Sequence, residues 1–335
     1  MVQAWLDKHP GVTPDGWDSR ELLEPSKDDG IQSFDDEGDV GVLRTWRAMC
    51  PDLQEWWPED EQPEDWRGVT IENGRVVKLE LQDFGLTGAV PAEIGRLSAL
   101  RELDLSYNQL TSLPAEIWQL TALQVLALND NQLTSVPAEI GQLTSLERLW
   151  LSGNQLTSLP AEIGQLPALT ELYLERSPLT NVPAEIGQLA LLQVLGLSGN
   201  QLTSLPAEIG QLTSLQQLSL GGNQLTSVPA VIWQLTSLRE LNLNRNQLAS
   251  LPAEIGRLTS LTELNLEGNR LASLPAEIGQ LTLLQTLGLD NCQLDLNRNQ
   301  LTSLPAEIGR LTSLCLLYTS PSPRDQRGSR MPSSA

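Results

Sequence analysis

Residues 146–168 read LERLWLSGNQLTSLPAEIGQLPA, and they contain the local signals from which the fold can be predicted. Near its start Leu149 and Leu151 alternate with Arg148 and Trp150, a period of two residues. That period is typical of a short β-strand with one buried face and one exposed face. The rest of the stretch carries the chain from the end of this strand to the start of the next.

The pattern LxxLxLxxNxLxxLPxxIxxLxx recurs at a fixed step of 23 residues, and its opening leucines are Leu100, Leu123, Leu146, Leu169, Leu192, Leu215, Leu238, Leu261 and Leu284. An earlier unit starts at Val76, and an irregular final unit runs from Asp295 to Ser313. One unit cannot bury its own leucines, but stacked units share a continuous core. The period therefore predicts a solenoid.

The return segment of each unit has its own signals. Asn154 stands where the chain leaves the strand, and its side-chain amide can bond backbone groups in a ladder from unit to unit. Pro160 suits the first position of a helical turn, Glu162 suits the positive end of that turn, and Gly164 suits a left-handed C-terminal cap. We therefore predict a short helical or 3₁₀ turn on the return path.

The repeat resembles the leucine-rich repeat over about residues 70–317, and LTSLPAEIGQLTSL resembles the Ras-group class of intracellular repeats. The segment Asp65–Leu97 is similar to the N-terminal cap and first repeat of plant-type receptors, but it lacks their cysteine pair. The resemblance implies an α/β fold: a right-handed solenoid (horseshoe) with a parallel sheet on the concave face and short helical or 3₁₀ turns on the convex face. It also implies a platform for protein binding.

Four segments are expected along the chain. Residues 1–40 are acidic and loosely ordered, and residues 41–75 form a tryptophan-rich cap with the helical stretch VLRTWRAM. The solenoid covers residues 76–316 in about ten to eleven repeats and is irregular at 284–313. Residues 317–335 are basic and rich in proline and serine. We interpret them as a disordered tail translated from adapter sequence; the alternative is a natural disordered tail.

The composition excludes several classes of function. The chain of 335 residues has 42 acidic and 21 basic side chains, a formal net charge of −21. Such a chain repels phosphate groups, so we expect no nucleic-acid partner, and no apolar run is long enough for membrane insertion. One histidine and three separated cysteines offer no ligand set for a metal or cofactor, and no phosphate-loop, kinase or GxSxG motif occurs. We therefore expect a protein that is not an enzyme and has no cofactor.

The candidate binding site is a break in the column of side chains at the centre of the concave face. This column is mostly small: Asp104, Ala127, Trp150, Tyr173, Gly196, Ser219, Asn242, Asn265 and Gly288. Trp150 and Tyr173 stand in adjacent repeats, about 4.7–5 Å apart along the sheet, so their rings should touch. We predict a partner-binding site formed by these two aromatics and six neighbours: Tyr107, Glu147, Arg148, Glu171, Glu175 and Arg176. Exposed aromatics and arginines are typical of interface hot spots; the alternative is that the two rings merely stack without function.

Other departures from the repeat have simpler interpretations. Ser177-Pro178 replaces Asn-Gln and interrupts the asparagine ladder. The interruption either shapes the binding site or results from simple sequence divergence. Trp118 and Trp233 replace the Gly of PAEIGQL, where we expect them to pack against the convex surface rather than form a second contact face. The glutamates of PAEIG form an evenly spaced, solvated stripe rather than acid–base pairs. Cys292 takes a ladder position and is interpreted as structural.

The predicted function is a non-catalytic scaffold that binds a protein partner on the concave face. The negative charge favours a partner with a basic surface, such as a small GTPase or a kinase-pathway component. The lack of a secretion signal, of paired cysteines and of Asn-x-Ser/Thr sites favours a cytoplasmic location. Two alternatives stay open: a regulatory fragment of a larger enzyme (a Roco-type GTPase or a receptor-like kinase), and an extracellular receptor region.

Overall fold

A computed structural model describes residues 38–87, 90–289, 301 and 303–318. The repeats form one sheet of twelve strands in sequence order. Strands β1 (Val69–Glu72) and β2 (Arg75–Glu80) are antiparallel, and each later strand is parallel to its neighbours. These later strands, β3 to β12, are Glu102–Asp104, Val125–Ala127, Arg148–Trp150, Glu171–Tyr173, Val194–Gly196, Gln217–Ser219, Glu240–Asn242, Glu263–Asn265, Thr286–Gly288 and Leu316–Tyr318.

The register of the sheet follows the 23-residue step. Leu149 pairs with Leu172, and Trp150 pairs with Tyr173. Residues at equivalent positions of successive repeats are therefore direct neighbours on the sheet, as the sequence predicted. The open parallel sheet and the short return turns confirm the predicted solenoid fold.

The core is a continuous stack of aliphatic side chains beneath the sheet. The strand leucines 103, 126, 149, 172, 195, 218, 241, 264 and 287 are all at most 1% exposed. The isoleucines of the return turns, such as Ile163 and Ile186, are fully buried against them. Fully burying one such side chain stabilises the fold by about 1.5–3 kcal/mol, so the repeated aliphatic positions are the main source of stability.

The asparagine ladder forms as predicted. The side-chain amide of Asn154 donates to the carbonyl oxygens of Leu128 and Leu151, both at 2.9 Å. Its oxygen accepts from the backbone N–H of Leu133 at 3.0 Å. Each asparagine thus ties its own bend to the preceding repeat, and Asn154 is only 5% exposed because these bonds replace those to water.

Short 3₁₀ helices form the return side, and they span Ala92–Arg96, Ala115–Gln119, Ala138–Gln142, Ala161–Gln165, Ala184–Gln188, Ala207–Gln211, Ala230–Gln234, Ala253–Arg257, Ala276–Gln280 and Ala306–Arg310. A proline precedes each of them, as in Pro160 before Ala161. The prediction of a left-handed cap at Gly164 is wrong, because Gly164 lies inside its 3₁₀ helix and outside the positive-φ residues. Glycine is needed there for another reason: a Cβ would collide with the carbonyl oxygen of Glu185 in the next repeat.

The two tryptophans that replace this glycine are buried. Trp118 is 4% exposed and Trp233 is 1% exposed, which confirms that they pack rather than offer a second contact face. Beside Trp118 a partly open pocket of about 240 Å³ is lined by apolar residues such as Leu126 and Ile140 and by hydroxyl side chains such as Ser112.

The N-terminal end of the sheet is covered by helices α1 (Asp39–Met49) and α2 (Pro51–Gln54). The helical stretch VLRTWRAM lies within α1, as predicted. Trp57 stacks on Trp66 at 5.0 Å between ring centroids, and Trp46 meets Trp57 edge-on at 6.1 Å. This aromatic cluster closes the core at the first strand.

Several expectations fall outside the described residues. These are the order of residues 1–37, the tail beyond Tyr318, Cys292, and the parts 290–300 and 302 of the irregular stretch at 284–313. The division into four segments therefore stays a prediction. In the part of the chain that is described, helices are too short and too polar to span a membrane.

Candidate functional site

A groove of about 460 Å³ lies on the exposed face of the sheet, near its first third. Its lining residues, called the aromatic groove below, are Tyr107, Asn129, Asp130, Trp150, Ser152, Tyr173, Glu175 and Arg176. They come from four successive repeats, on strands β5 and β6 and the bends that follow β3 to β6. The sheet brings them together because each 23-residue step moves one strand along the same face.

The wall of the groove is an aromatic pair. The rings of Trp150 and Tyr173 are 6.3 Å apart between centroids and nearly perpendicular, at 83°. This edge-to-face arrangement is favourable, since the positive edge of one ring meets the negative face of the other. The predicted contact between these rings is confirmed, and the pair presents two rigid apolar surfaces at right angles.

The Trp150 indole has an unsatisfied polar group. Its Nε1 is buried and has no hydrogen-bond partner among the described residues. A buried donor without a partner costs about 1–3 kcal/mol. A phenylalanine or leucine at this position would avoid that cost, so the fold itself does not call for tryptophan here.

The bend after each strand from β2 to β10 contains one residue in the left-handed backbone region. In several repeats this residue is glycine: Gly153, Gly199, Gly222 and Gly268, with φ between 63° and 70°. In others it carries a side chain: Asp83, Tyr107, Asp130, Arg176 and Arg245, with φ between 49° and 59°. Left-handed backbone costs about 1–2 kcal/mol for an ordinary residue and almost nothing for glycine. Three of the five strained positions, Tyr107, Asp130 and Arg176, line the aromatic groove.

An ion pair crosses the floor of the groove. Arg176 Nη2 lies 3.1 Å from Asp130 Oδ2, two repeats away. The pair passes over Gly153 in the repeat between them, where a Cβ would collide with the Asp130 carboxylate. The arginine is largely exposed, so the pair contributes less than about 1 kcal/mol to stability. Its main effect is to orient two charged side chains beside the rings.

Glu175 is held in place at the other side of the groove. Its carboxylate accepts a short hydrogen bond from Ser152 Oγ, which in turn accepts from the backbone N–H of Glu175. The same carboxylate lies over Gly196, where a Cβ would collide with Oε1. No salt bridge to Glu175 is found among the described residues. A fixed carboxylate without a cationic partner therefore lies beside the aromatic wall.

The electrostatic field at the groove is negative. Burial raises the pKa of the Tyr173 phenol above its usual value, and the carboxylates of Glu171, Glu175 and Glu240 raise that pKa further. The phenol therefore stays neutral at physiological pH and keeps its proton for donation. Glu240 lies three strands away, so Tyr173 experiences charges from well beyond the groove itself.

Five of the eight residues predicted for the site line the groove: Tyr107, Trp150, Tyr173, Glu175 and Arg176. Glu147, Arg148 and Glu171 do not line it. Arg148 and Glu171 are neighbours at the start of β5 and β6, on the same sheet face, and Glu147 contributes its carbonyl oxygen to the backbone of the next repeat. These three residues lie beside the groove and extend the charged surface around it.

Sequence reasoning missed Asn129, Asp130 and Ser152. The pair Asn129-Asp130 replaces the Ser-Gly that follows the strand in neighbouring repeats, as at Ser152-Gly153. That replacement was visible in the sequence. Its place in the groove could not be predicted, because the sequence did not show that the bend residues turn toward the same face as Trp150.

The interruption of the ladder lies directly beside the groove. Ser177 Oγ is buried and has no hydrogen-bond partner in the described part of the chain. Pro178 has no N–H to donate to the preceding repeat, whereas Gln155 and Gln201 each donate at 2.9 Å in the equivalent position. The repeat that carries Tyr173 and Arg176 is thus tied to its neighbour less tightly than the others are.

The chemistry of the groove is that of recognition. It offers aromatic surface, three hydroxyls, an amide, two carboxylates and one guanidinium, without a histidine or cysteine nucleophile among its lining residues. Within the described ranges, His, Cys, Asp and Glu side chains do not form a group of three placed to hold a metal ion.

The sequence matches the family described as a leucine-rich repeat region over residues 72–177 and 172–267, together more than half of the chain, and a further single repeat over 260–281. The chain belongs to the leucine-rich repeat family. Solenoids of this family present extended surfaces to their partners, and the described sheet is such a surface. The repeats therefore give the protein a role in protein interaction.

The similar proteins include kinases and one bacterial protein. The receptor-like serine/threonine-protein kinase FEI 2 of Arabidopsis thaliana is 39% identical over 112 residues, 33% of this chain and 16% of the kinase. A Leptospira interrogans leucine-rich repeat protein is 46% identical, with a TM-score of 0.64 over 71% of this chain and 65% of that one. The ectodomain of the Arabidopsis receptor kinase GASSHO1/SCHENGEN3, solved with CASPARIAN STRIP INTEGRITY FACTOR 2, is 32% identical, with a TM-score of 0.72 over 82% of this chain and 34% of that one. The chain thus spans less than two thirds of each of these relatives.

Proposed function

We propose that the aromatic groove is the binding site for a protein partner. This proposal rests on one observation: several features that lower the stability of the fold lie close together. The unpartnered N–H of Trp150 and the left-handed backbone of Tyr107 and Arg176 all occur around one groove. Each position has a cheaper alternative in other repeats of the same chain. Strain of this kind persists where a function requires the side chain.

The composition and setting of the groove support this proposal. Tryptophan, tyrosine and arginine are the residues that dominate binding energy at interfaces, and here they lie in a concave, partly desolvated setting. Arabidopsis receptor kinases of similar fold were solved with protein or peptide ligands: GASSHO1/SCHENGEN3 as above, and HAESA with the peptide hormone IDA. We infer by analogy that this chain also takes a peptide or an extended protein segment on its repeats.

We further propose that the protein is a cytoplasmic scaffold whose partner is a small GTPase or a component of a kinase pathway. The support is the excess of 42 acidic over 21 basic residues, which favours a basic partner surface, and the free thiol of the buried Cys50. Fractionation of the source cells tests the location: recovery with secreted glycoproteins would contradict it.

The site is tested by capture of partners from lysate of the source organism. The variant Trp150→Ala with Tyr173→Ala is compared with the wild type and with a control, Leu191→Ala with Leu283→Ala. The control removes two exposed apolar side chains, 53% and 52% exposed, that lie outside the groove. We expect the groove variant alone to lose its partner at least roughly tenfold, as for hot-spot residues. Equal capture by all three proteins would contradict the site.

A second candidate function is favoured by one comparison. The kinase FEI 2 matches this chain over 112 residues only, 16% of its own length. We propose as the alternative that the repeats are the sensor region of a larger enzyme, such as a Roco-type GTPase or a receptor-like kinase. Long reads of the native transcript across the codons for Leu284 to Ala335 test this: a frame that continues into a kinase or GTPase domain supports it, and a stop codon soon after the repeats contradicts it.

A further inference from the structure

A second groove lies further along the same sheet face, on strands β8 to β11. It has a volume of about 220 Å³, and its polar lining includes Ser219, Glu240, Asn242, Glu263, Asn265 and Glu267. These residues are called the acidic groove below. Glu240 accepts a hydrogen bond from the Gln217 side chain at 3.0 Å, and neither Glu240 nor Glu263 has a salt bridge among the described residues. Among the described residues, the lining has three carboxylates and no basic side chain.

Between the two grooves the sheet face is smooth and uncharged. Strands β7 and β8 and their bends, within residues 192–200 and 215–223, contain no charged side chain. Gly196 and Gly221 are buried here because the side chains of Glu175 and Asn244 lie directly over them. These two strands form an uncharged bed, so an extended partner segment that crosses from one groove to the other meets no charged side chain of β7 or β8.

The aromatic groove itself favours a cationic side chain. Its carboxylates, Asp130 and Glu175, outnumber its one guanidinium, and Arg176 is already turned toward Asp130. Glu175 stays available next to the perpendicular faces of Trp150 and Tyr173. A positive group over an aromatic face is attracted by the ring quadrupole, more strongly when water is excluded. An arginine or lysine in this corner would meet both the rings and the fixed carboxylate.

We propose that the partner presents an extended segment with two basic side chains, one bound in the aromatic groove and the other in the acidic groove. This inference rests on the proposed function of the aromatic groove and adds the chemistry of its ligand. The small, uncharged bed between the grooves carries the intervening residues of the segment. Recognition depends on the aromatic groove for its anchor, and the acidic groove sets the spacing.

The geometry fixes the distance between the two basic residues. The aromatic groove centres on β5 and β6, and the acidic groove centres on β9 and β10. Three to four strand intervals of about 4.8 Å separate Tyr173 from the middle of the acidic groove, or about 14–19 Å. An extended chain advances about 3.3 Å per residue, so the two basic residues are about four to six positions apart.

The test uses a random dodecapeptide library displayed on phage and selected against the full chain at physiological ionic strength. We expect the selected peptides to share two basic residues four to six positions apart. A labelled consensus peptide is then titrated against the wild type, Glu175→Gln, and Glu240→Gln with Glu263→Gln. Glutamine keeps the shape and one acceptor oxygen, and it removes the charge by putting an amide NH₂ in place of the other oxygen. The matched control is Glu208→Gln with Glu277→Gln, on the return side of the repeats.

Each charge-removing variant of the grooves should weaken binding at least roughly tenfold, the loss expected when a charged partner is left unpaired, and the control should not. The inference is wrong if peptides that depend on Trp150 and Tyr173 lack the basic pair, or bind the Glu240/Glu263 variant as tightly as the wild type. If instead the selected peptides are insensitive to Trp150→Ala with Tyr173→Ala, the proposed function of the aromatic groove fails as well. The two failures are thus distinguishable.

Discussion

This solenoid differs from a uniform stack of repeats at single residues, which occupy the left-handed backbone position in the bend after a strand. The bend after each strand accepts glycine without strain, and four of the described repeats use it. Where the bend carries a side chain, that side chain stands at the edge of the sheet face. Tyr107 is 57% exposed in such a position, so burial does not repay its strained backbone. Contact with a partner, as proposed for the aromatic groove, would account for the retained side chain.

Gly153 gives a prediction at this scale. Gly153→Ala places a methyl group at φ +70° and against the Asp130 carboxylate. Gly222→Ala is the matched control, because it has φ +65° and its nearest neighbours, in Gly199, are an acceptable 3.4 Å or more away. We expect the control to lower the free energy of unfolding by about 1–2 kcal/mol from backbone strain alone. Gly153→Ala should lose about 1 kcal/mol more, since the ion pair must shift as well.

Urea denaturation of both variants measures these differences. Equal losses for the two glycines would show that the Asp130 side chain moves aside freely, and that the ion pair with Arg176 does not fix the floor of the groove.

The residue scale also shows where sequence reasoning succeeded and where it failed. The contact of Trp150 with Tyr173 followed from the 23-residue step, because parallel strands place equivalent positions side by side. The role of Gly164 was wrong, since glycine suits both a left-handed cap and a close approach of backbone, and sequence alone does not distinguish them. Asp130 was missed because its importance depends on the direction in which the bend turns.

At the scale of the repeat element, the asparagine ladder holds neighbouring bends together. Asn154 and Asn200 each donate to two or more carbonyl oxygens and accept one backbone N–H. Ser177 cannot reach these groups, and Pro178 lacks a donor. The predicted interruption is confirmed, and its site is the bend that carries Arg176. Sequence could locate this defect because the ladder depends on one side chain at one position of the repeat.

Repair of the ladder is the prediction for this element. Ser177→Asn with Pro178→Gln restores the consensus, and the new amide should make the bonds seen for Asn154. We expect a gain of about 1–2 kcal/mol in the free energy of unfolding, since each net buried hydrogen bond contributes about 1 kcal/mol. The reciprocal variant, Asn200→Ser, should lose about 1–3 kcal/mol because it leaves buried backbone groups unpaired.

Thermal and urea unfolding check both variants. No gain from the repaired repeat would mean that the bend after β6 is already satisfied in another way, and that the interruption has no energetic consequence.

In the whole molecule the repeats are nearly identical, so we expect residues with a specific function among those that depart from the repeat consensus. A uniform stack buries its leucines equally well in each unit, so stability alone requires no difference among the side chains of the sheet face. The fold could be predicted almost completely from the sequence, because one unit specifies all the others. The site could be predicted only in part: its aromatic centre is an exception within a strand, whereas Asn129, Asp130 and Ser152 join it through the conformation of the bends.

In the proposed function, the aromatic groove is retained for a partner at a cost in stability. The most direct test measures stability and binding in the same proteins: Tyr107→Gly with Arg176→Gly, and the control Arg245→Gly, which has the same left-handed backbone outside the groove. Each replacement should raise the free energy of unfolding by about 0.5–1 kcal/mol, because glycine relieves the strain. We predict that the groove variant gains stability and loses at least roughly tenfold in affinity for the captured partner or selected peptide, whereas Arg245→Gly gains stability without weaker binding. A groove variant that binds as tightly as the wild type would contradict the proposed role of the aromatic groove.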